Sequence, residues 1–562
     1  MENSPFDSFI CADTEDNSRE LLEAGKSGFD KQLTQIAAVN REGKKWYGQG
    51  PNCGKEFLKW LARQPEQHIY FHNTQYDLGA LFGKELDRLD VTLVGGRFIK
   101  AVWPQGPGKP PKFFLDNFNL WPMSIARIAP AFGLEKLAFN ATDRDYVFRD
   151  TEILREAVNF CWDFAHNAGL RGCPNTLGSF GVKLWEKWGG EHPNETLGIA
   201  KEATYGGRVE LFKVHNDCRV VCHTDINSLY PFVMCKEYPD YLEKRKRSKT
   251  PPKFGVMSCD IQVPECEIAP LPFRRDDGRI FFPWGKFKGV WTIPEIENAL
   301  RHGAKILKVH EVWGTEDFTY PYKDFMTRLY RARNATKSAA EREFFKRLMA
   351  TLYGRTGSTG TVTRSVWQTQ KNKWDGVPYG DKVLVDFQLP LGPEVNWTHC
   401  AYLTAYGRLE LQKYQRIIGA EKLIYSDTDS VIFDLPDVLL CGDLGHMALP
   451  PWYFPTGREL GDMKLEYLGT DAVHCWAPKS YRRGKKWKAK GVPKKMAEKF
   501  LTTGHASYDL PFRFREACAF YDRNNAKMLG VWRTVDKYMR SQYDRKTLKA
   551  NRFYPCKINC VE

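Results

Sequence analysis

The chain has 562 residues, 42% hydrophobic and 14% aromatic. That is too long for one ordinary core and too apolar for a disordered chain, so two to four packed units are expected. Lysine and arginine exceed aspartate and glutamate by 83 − 68 = 15. A surplus of that size favours polyanionic partners, nucleic acid first, through phosphate neutralisation and counterion release. No apolar run approaches the ~18 residues needed to span a bilayer, and the acidic start MENSPFDSF lacks a signal-peptide pattern. A chain with no membrane partner, cytoplasmic in location, is the expectation.

Taken in chain order, residues 1–165 alternate short apolar strands (FICAD, HIYFHN) with helical stretches such as EFLKWLARQ, the signature of an α/β unit. PQGPGKPPK at 104–112 reads as a loop within it. Asp13 and Glu15 stand two apart at a strand end. Asn73 and Asp77 follow in FHNTQYD, with Phe71 and His72 beside them. Tyr146 and Asp150 lie one helical turn apart, on one face.

From about 200 the pattern changes. Asp225 ends the apolar strand in CRVVCHTDINSLYPF, where a carboxylate can face a cleft. A Pro-rich stretch runs from about 236 to 285, and a long charged helix is expected from about 322 to 354. In it Phe345, Leu348, Met349 and Leu352 form a buried stripe, with Arg342, Lys346 and Tyr353 on the opposite face and Gly354 at its C-terminus. EKLIYSDTDSVIF reads as a hairpin whose turn holds Asp427 and Asp429, and strand alternation is expected to bring these two carboxylates together. Such clusters repel one another and are held ionised by hard divalent cations. The fifteen cysteines include no CxxC pair, and free thiols are the expected state.

Three segments, SLYP after Asp225, KxxxxxxYG from Lys346 to Gly354, and YSDTDS, resemble the polymerase motifs of family B DNA polymerases, in the family's order. Asp13/Glu15, Asn73/Asp77 and Tyr146/Asp150 resemble, in order, the three exonuclease motifs of the DnaQ-like proofreading fold. The resemblance implies an RNase H-like α/β exonuclease domain joined to an α+β right-hand polymerase with palm, fingers and thumb. It implies that Asp225 and Asp427 hold two catalytic metals with Asp429 in support. Ser228, Leu229 and Tyr230 would bind nucleotide, Tyr230 lying under the deoxyribose. Arg342 and Lys346 would bind the triphosphate, with Tyr353 against the nascent pair. In the exonuclease, Asp13, Glu15, Asp77 and Asp150 would bind two metals, Tyr146 would orient water, and Phe71 and Asn73 would hold the frayed primer end. Lys136 would steady the scissile phosphate or be a salt-bridged lysine. Tyr205, Gly206 and Gly207, in ATYGGRVE, resemble a template-contacting element, and Lys479 and Tyr481 a primer-gripping KxY motif. The cofactor implied is Mg²⁺, two per active site, with Mn²⁺ able to substitute.

Ala350 and Thr351 stand where the family commonly carries Asn-Ser. The resemblance covers nearly the whole chain and implies the protein-primed branch of phages and linear mobile elements. The expected organisation is 1–165 exonuclease, 166–235 linker and first palm part, 236–320 a first terminal-protein region, 321–355 fingers, 356–397 a second terminal-protein region, 398–470 palm, and 471–562 palm end and thumb. Implied partners are primer-template DNA, dNTPs and a terminal protein as primer, acting on a monomer. Two alternatives stand beside this: a family B enzyme using ordinary or no primers, and a DNA-binding nuclease with an inactive polymerase body.

Overall fold

The structure, a computed structural model, describes residues 8–17, 20, 23, 32–138, 143–191, 198–368, 375–435, 456–511, 513–518, 532–539 and 546–561. The N-terminal unit is built on the Phe9–Asp16 strand, which pairs in parallel with His68–Phe71 and antiparallel with Leu33–Asn40. Phe9, Ile10, Cys11 and Ala12 are all fully buried. A continuous apolar run fits a central strand covered on both faces. Helix Arg144–Asn167 covers one face, its start capped by the Asp143 side chain accepting from Asp145 N. PQGPGKPP links the antiparallel strands Arg97–Trp103 and Lys112–Asp116, as a hairpin loop.

The 356–397 segment does not stand apart from this unit. Strand Thr361–Trp367 pairs with Asp90–Val94, Thr363 opposite Leu93, and carries Lys382–Gln388 and Val377–Tyr379 with it, so ten described strands form one sheet. Buried ties reinforce the join: Tyr379 Oη donates to Leu86 O at 2.5 Å and Lys382 Nζ to Leu89 O at 3.1 Å. The 236–320 segment folds as its own sheet around Phe254–Val263, flanked by Trp284–Thr292 and Lys305–Thr315, with helix Ile293–Arg301 against one face. The edge strand of that sheet, Lys557–Asn559, comes from the far end of the chain.

A third sheet runs Met463–Gly469, Val220–Ile226, Ser430–Leu435, Leu423–Asp427, Val209–Leu211 and carries the second set of carboxylates. The expected single helix at 322–354 is three: Lys323–Ala335, Ala339–Met349 and Leu352–Thr356. Thr336 turns extended, and Ser338 starts a new helix by accepting the Glu341 N–H at 3.3 Å. That local cap competes with continuation of the helix. Gly354 therefore lies inside the third helix, not at a helix terminus. Phe344, one residue off the expected stripe, locks the middle helix to the N-terminal unit, its ring 5.2 Å from both Phe160 and Phe164 and 5.8 Å from Trp121.

Candidate active sites

The N-terminal strand ends with Asp13 and Glu15 on one side, and helix Arg144–Asn167 brings Asp150 over them. One carboxylate oxygen from each of the three lies within 4.8 Å of the others, a set that could hold a metal ion. Asp77, 3% exposed, borders the group and accepts from Thr14 Oγ1 at 2.6 Å. Lys136 Nζ forms an ion pair with Asp150 and donates to Tyr146 Oη at 3.0 Å. The other oxygen of Asp150, Oδ1, is buried with no hydrogen-bond partner among the described residues.

Burial first, then repulsion from Glu15, Asp150 and Asp77, holds Asp13 well above the usual carboxylate range. Glu15 is pushed up to about 8 by burial and then by Asp150 and Asp16. Burial likewise raises Asp150, against the pull of Lys136. Crowded hard oxygen donors with one buried oxygen unsatisfied fit a divalent cation.

This strain predicts a stability effect. A folded-state pKa near 8 against 4.5 means that protonated Glu15 contributes stability below pH 4.5, which is lost as pH rises through 8. Metal-free Glu15→Gln should therefore melt a few degrees above wild type at alkaline pH, with the gap closing toward pH ~4.5. Added Mg²⁺ should raise the wild-type midpoint more than the variant's. Calorimetry across pH, with and without Mg²⁺, checks both.

One expectation for this site changes. Phe71 is fully buried, edge-on to Phe57 at 6.5 Å, and has no face for a nucleotide. His72 bonds Asn117 Nδ2 through Nδ1 at 3.2 Å and is pushed down to about 4 by burial. Asn73 is exposed with φ 70°, its N–H held by Asp116 Oδ1 at 2.8 Å. The aromatic ring presented here is Phe118, 37% exposed, with the Arg97 guanidinium 5.6 Å from it. Both line a cleft of about 390 Å³ with Asn73 and Arg513. The sequence signal for Phe118 was an aromatic flanked by two asparagines in DNFNLW, after an apolar strand.

In the third sheet, Asp225 lies opposite Ser430 on one side and Lys464 on the other. Asp427 is the last residue of its strand, and Thr428 then takes φ 58°, so Asp429 reaches the site through a tight turn and not by strand alternation as expected. Gly207 is required there: a Cβ on it would meet Thr428 Oγ1 at 2.6 Å. Asp225 is pushed up to about 7 by burial, then by Asp429 and Glu466, and Asp429 is raised chiefly by burial. Asp427 accepts from Lys479 Nζ at 2.5 Å and from Tyr425 Oη at 3.2 Å. Among the described residues only the N-terminal trio is gathered within 4.8 Å.

Ser228 has φ 51° and starts the helix Leu229–Met234, in which Leu229 is buried at 2% exposure. Tyr230 stacks on Tyr353, centroids 4.4 Å apart. Arg342 and Lys346 are exposed on the middle helix of the three, Arg342 Nη2 donating to Thr336 O at 2.9 Å. Tyr481 packs its ring 5.2 Å from Tyr425.

Tyr205, expected as a DNA contact, is 5% exposed, with the Arg274 and Arg408 guanidiniums 4.8 and 5.5 Å from its ring. Gly206 beside it is exposed. Arg408, unread in the sequence, holds this loop through Nη1 bonds to Tyr205 O and Gly206 O at 2.9 and 2.8 Å, while Glu295 accepts from its Nη2 at 2.8 Å. Nothing local singled it out, since its face of helix Trp397–Ile418 also carries the polar Thr404, Gln412 and Gln415. The fourteen described cysteines are all free thiols.

A model of DNA polymerase type B, organellar and viral, matches residues 195–382. Probable DNA polymerases of Podospora anserina and Neurospora intermedia are each 24% identical to the chain, in alignments of 304 and 302 residues that cover 46% and 48% of it. The chain spans about a quarter of the length of these relatives, the matches covering 25% and 29% of them. In fold it matches phi29 DNA polymerase over 95% of this chain and 100% of that one, at TM-score 0.69 and 16% identity. It also matches phi29 polymerase complexed with primer-template DNA and incoming nucleotide, over 95% and 99%, at TM-score 0.66 and 16% identity. In fold the chain is thus like phi29 DNA polymerase over nearly its whole length, and its residues 195–382 resemble the organellar and viral type B DNA polymerases.

Proposed function

We propose that this chain is a DNA-directed DNA polymerase with a 3′→5′ proofreading exonuclease, primed by a hydroxyl of a terminal protein. The observation that carries the reading is the presence of two separate carboxylate centres, on two different sheets, in one chain of the family B fold. Divalent metal, Mg²⁺ or Mn²⁺, would supply charge neutralisation at both centres, held by Asp225 and Asp427 in one and by Asp13, Glu15 and Asp150, with Asp77 at their border, in the other.

Each remaining role follows from position. Asp429 supports the palm centre from the turn. Exposed Arg342 and Lys346 bind the triphosphate, and Lys346 can protonate the departing pyrophosphate. Tyr230, braced by Tyr353, sets the floor beneath the sugar, and Ser228 and Leu229 contribute backbone. Lys479 grips the primer strand, while Gly206 and Gly207 let the template backbone approach. In the exonuclease, Tyr146, oriented by Lys136, positions the attacking water. Asn73 and the Phe118 ring hold the unpaired primer end, stacking being tolerant of sequence.

Protein priming is favoured by the two segments at 236–320 and 356–397, which interrupt the polymerase body. Incubation with a primed template and labelled dNTP should give template-dependent extension; DNA binding without extension would favour a nuclease. The same mixture without primer, offered a neighbouring-gene protein with a free Ser, Thr or Tyr hydroxyl, should give a covalent protein–nucleotide adduct. Absence of adduct with every such protein would favour ordinary primers.

A further inference from the structure

The edge of the third sheet, strand Val209–Leu211, carries charge that neither carboxylate centre uses. Arg208 and Glu210 are each 1% exposed, and Lys546, from the far end of the chain, is 8% exposed. Arg208 Nε forms an ion pair with Glu210 Oε2, and Lys546 Nζ stands 2.9 Å from Glu210 Oε1. Arg208 Nη1 also donates to Ala269 O at 2.8 Å, its guanidinium lying 4.1 Å from the Phe282 ring. Lys546 Nζ donates to Leu211 O at 2.8 Å and sits 4.2 Å from the Phe212 ring. Two cations and one anion are thus enclosed at the rim of the sheet, where three distant stretches of chain meet.

A buried group of this kind adds little stability over apolar side chains of the same volume, because desolvation offsets most of the attraction. Burial by itself would raise Glu210; Arg208 and Lys546 outweigh it and hold the carboxyl below its usual range, so the charge is kept. What the network supplies is position. The strand pairs antiparallel with Leu423–Asp427, Glu210 opposite Ser426 and Val209 opposite Asp427. Just before it, Arg208 O accepts the Thr428 N–H at 2.7 Å. Thr428 is the residue with φ 58° between Asp427 and Asp429, so this carbonyl holds the turn that carries both carboxylates.

The Arg208 side chain cannot shift without leaving Glu210, Ala269 O and the Phe282 ring together. Lys546 in turn fixes both Glu210 and the carbonyl of Leu211. The segment after Lys546 then follows the same strand outward, Phe553 N donating to Phe212 O and Val214 N to Asn551 O, each at 2.9 Å. We propose that Arg208, Glu210 and Lys546 are positioning residues for the polymerase centre, holding the edge strand so that the Thr428 turn presents Asp427 and Asp429 to divalent metal. The inference rests on the polymerase reading above and adds the C-terminal segment to the parts that shape its centre.

The test compares wild type with Lys546→Met in the full chain, methionine keeping most of the side-chain length without its charge. Single-turnover incorporation at saturating dNTP should slow about tenfold, and the Mg²⁺ concentration for half-maximal rate should rise about fivefold. KM for dNTP and degradation of single-stranded DNA should each stay within about twofold of wild type. Metal binding is read apart from catalysis by electron paramagnetic resonance of free Mn²⁺, in the Asp13→Asn, Asp150→Asn background that removes ligands of the other centre. There Lys546→Met should weaken Mn²⁺ binding about fivefold.

Equal losses of incorporation and degradation would make the network a general structural support and overturn the proposal. An unchanged Mg²⁺ requirement and Mn²⁺ affinity in the folded variant, shown by its thermal midpoint, overturns it as well. If Lys546→Met does not fold, Phe282→Leu carries the test, since it takes the ring from beneath Arg208 and leaves every charge in place. That variant should raise the Mg²⁺ requirement about twofold, and no rise overturns the proposal. Lys546-dependent Mn²⁺ binding without extension by wild type supports the network and sinks the polymerase reading. Extension whose Mg²⁺ requirement ignores Lys546 does the reverse.

Discussion

Asp225→Asn and Asp427→Asn are each expected to lower nucleotide incorporation by about two orders of magnitude or more, with single-strand degradation retained. The magnitude is that of removing a group which offsets developing charge in a preorganised site. Asparagine keeps the size of the side chain, so the effect isolates the charge. Asp225 sits opposite Ser430 and Lys464 within a paired strand, and the amide disturbs no backbone ladder. Because burial, Asp429 and Glu466 push Asp225 up to about 7, it is partly protonated at neutral pH until a cation binds. Wild-type incorporation at limiting Mg²⁺ should therefore rise with pH through the neutral range, and the rise should flatten as Mg²⁺ becomes saturating. Single-turnover incorporation on a primed template reads both effects. Incorporation by Asp427→Asn at the wild-type rate would remove it from the site.

The carboxylates were legible because short-range pattern locates them: each stands at a strand end or one helical turn from a partner, and such spacings survive folding. The change from an N-terminal α/β unit to a different body after it was legible for the same reason. Residues beside the motifs misled, since an aromatic next to a functional residue serves the core as readily as the ligand. Phe71 and Tyr205 are both such rings, and both are buried. The Asp427 and Asp429 pairing was anticipated for the wrong reason: a turn with Thr428 at φ 58° does what strand alternation was expected to do.

What could not be read at all is non-local. Strand Thr361–Trp367 pairs with Asp90–Val94, and Lys557–Asn559 pairs with Trp284–Thr292, each across more than two hundred residues. No local pattern encodes such a register. Arg408 belongs to the same class, since its partner Glu295 lies 113 positions earlier and in another sheet's covering helix. A buried charge is tolerable only when such a partner arrives.

Replacing Asp13 and Asp150 by asparagine together should abolish degradation of single-stranded DNA, by about three orders of magnitude or more, and leave template-directed extension in place. The two residues come from different elements, a strand and a helix, and meet only in the folded site, so the double variant tests the constellation and not a local segment. It should also fold well. Asp13 is held well above its usual range by burial and by three neighbouring carboxylates, so removing charge relieves repulsion in the metal-free protein. Loss of degradation therefore cannot be blamed on unfolding if the thermal midpoint holds or rises. Lys136 makes the comparison sharper, because in Asp150→Asn it loses its ion pair and keeps its bond to Tyr146 Oη. Lys136→Met in the wild-type background should slow degradation less than the double variant, as it removes the group that orients Tyr146 and leaves the carboxylates. Extension past a mismatched primer end, slow while the end is being excised, should become the dominant outcome in the double variant. Degradation that persists at the wild-type rate would place the nuclease centre outside the Asp13, Glu15 and Asp150 cluster.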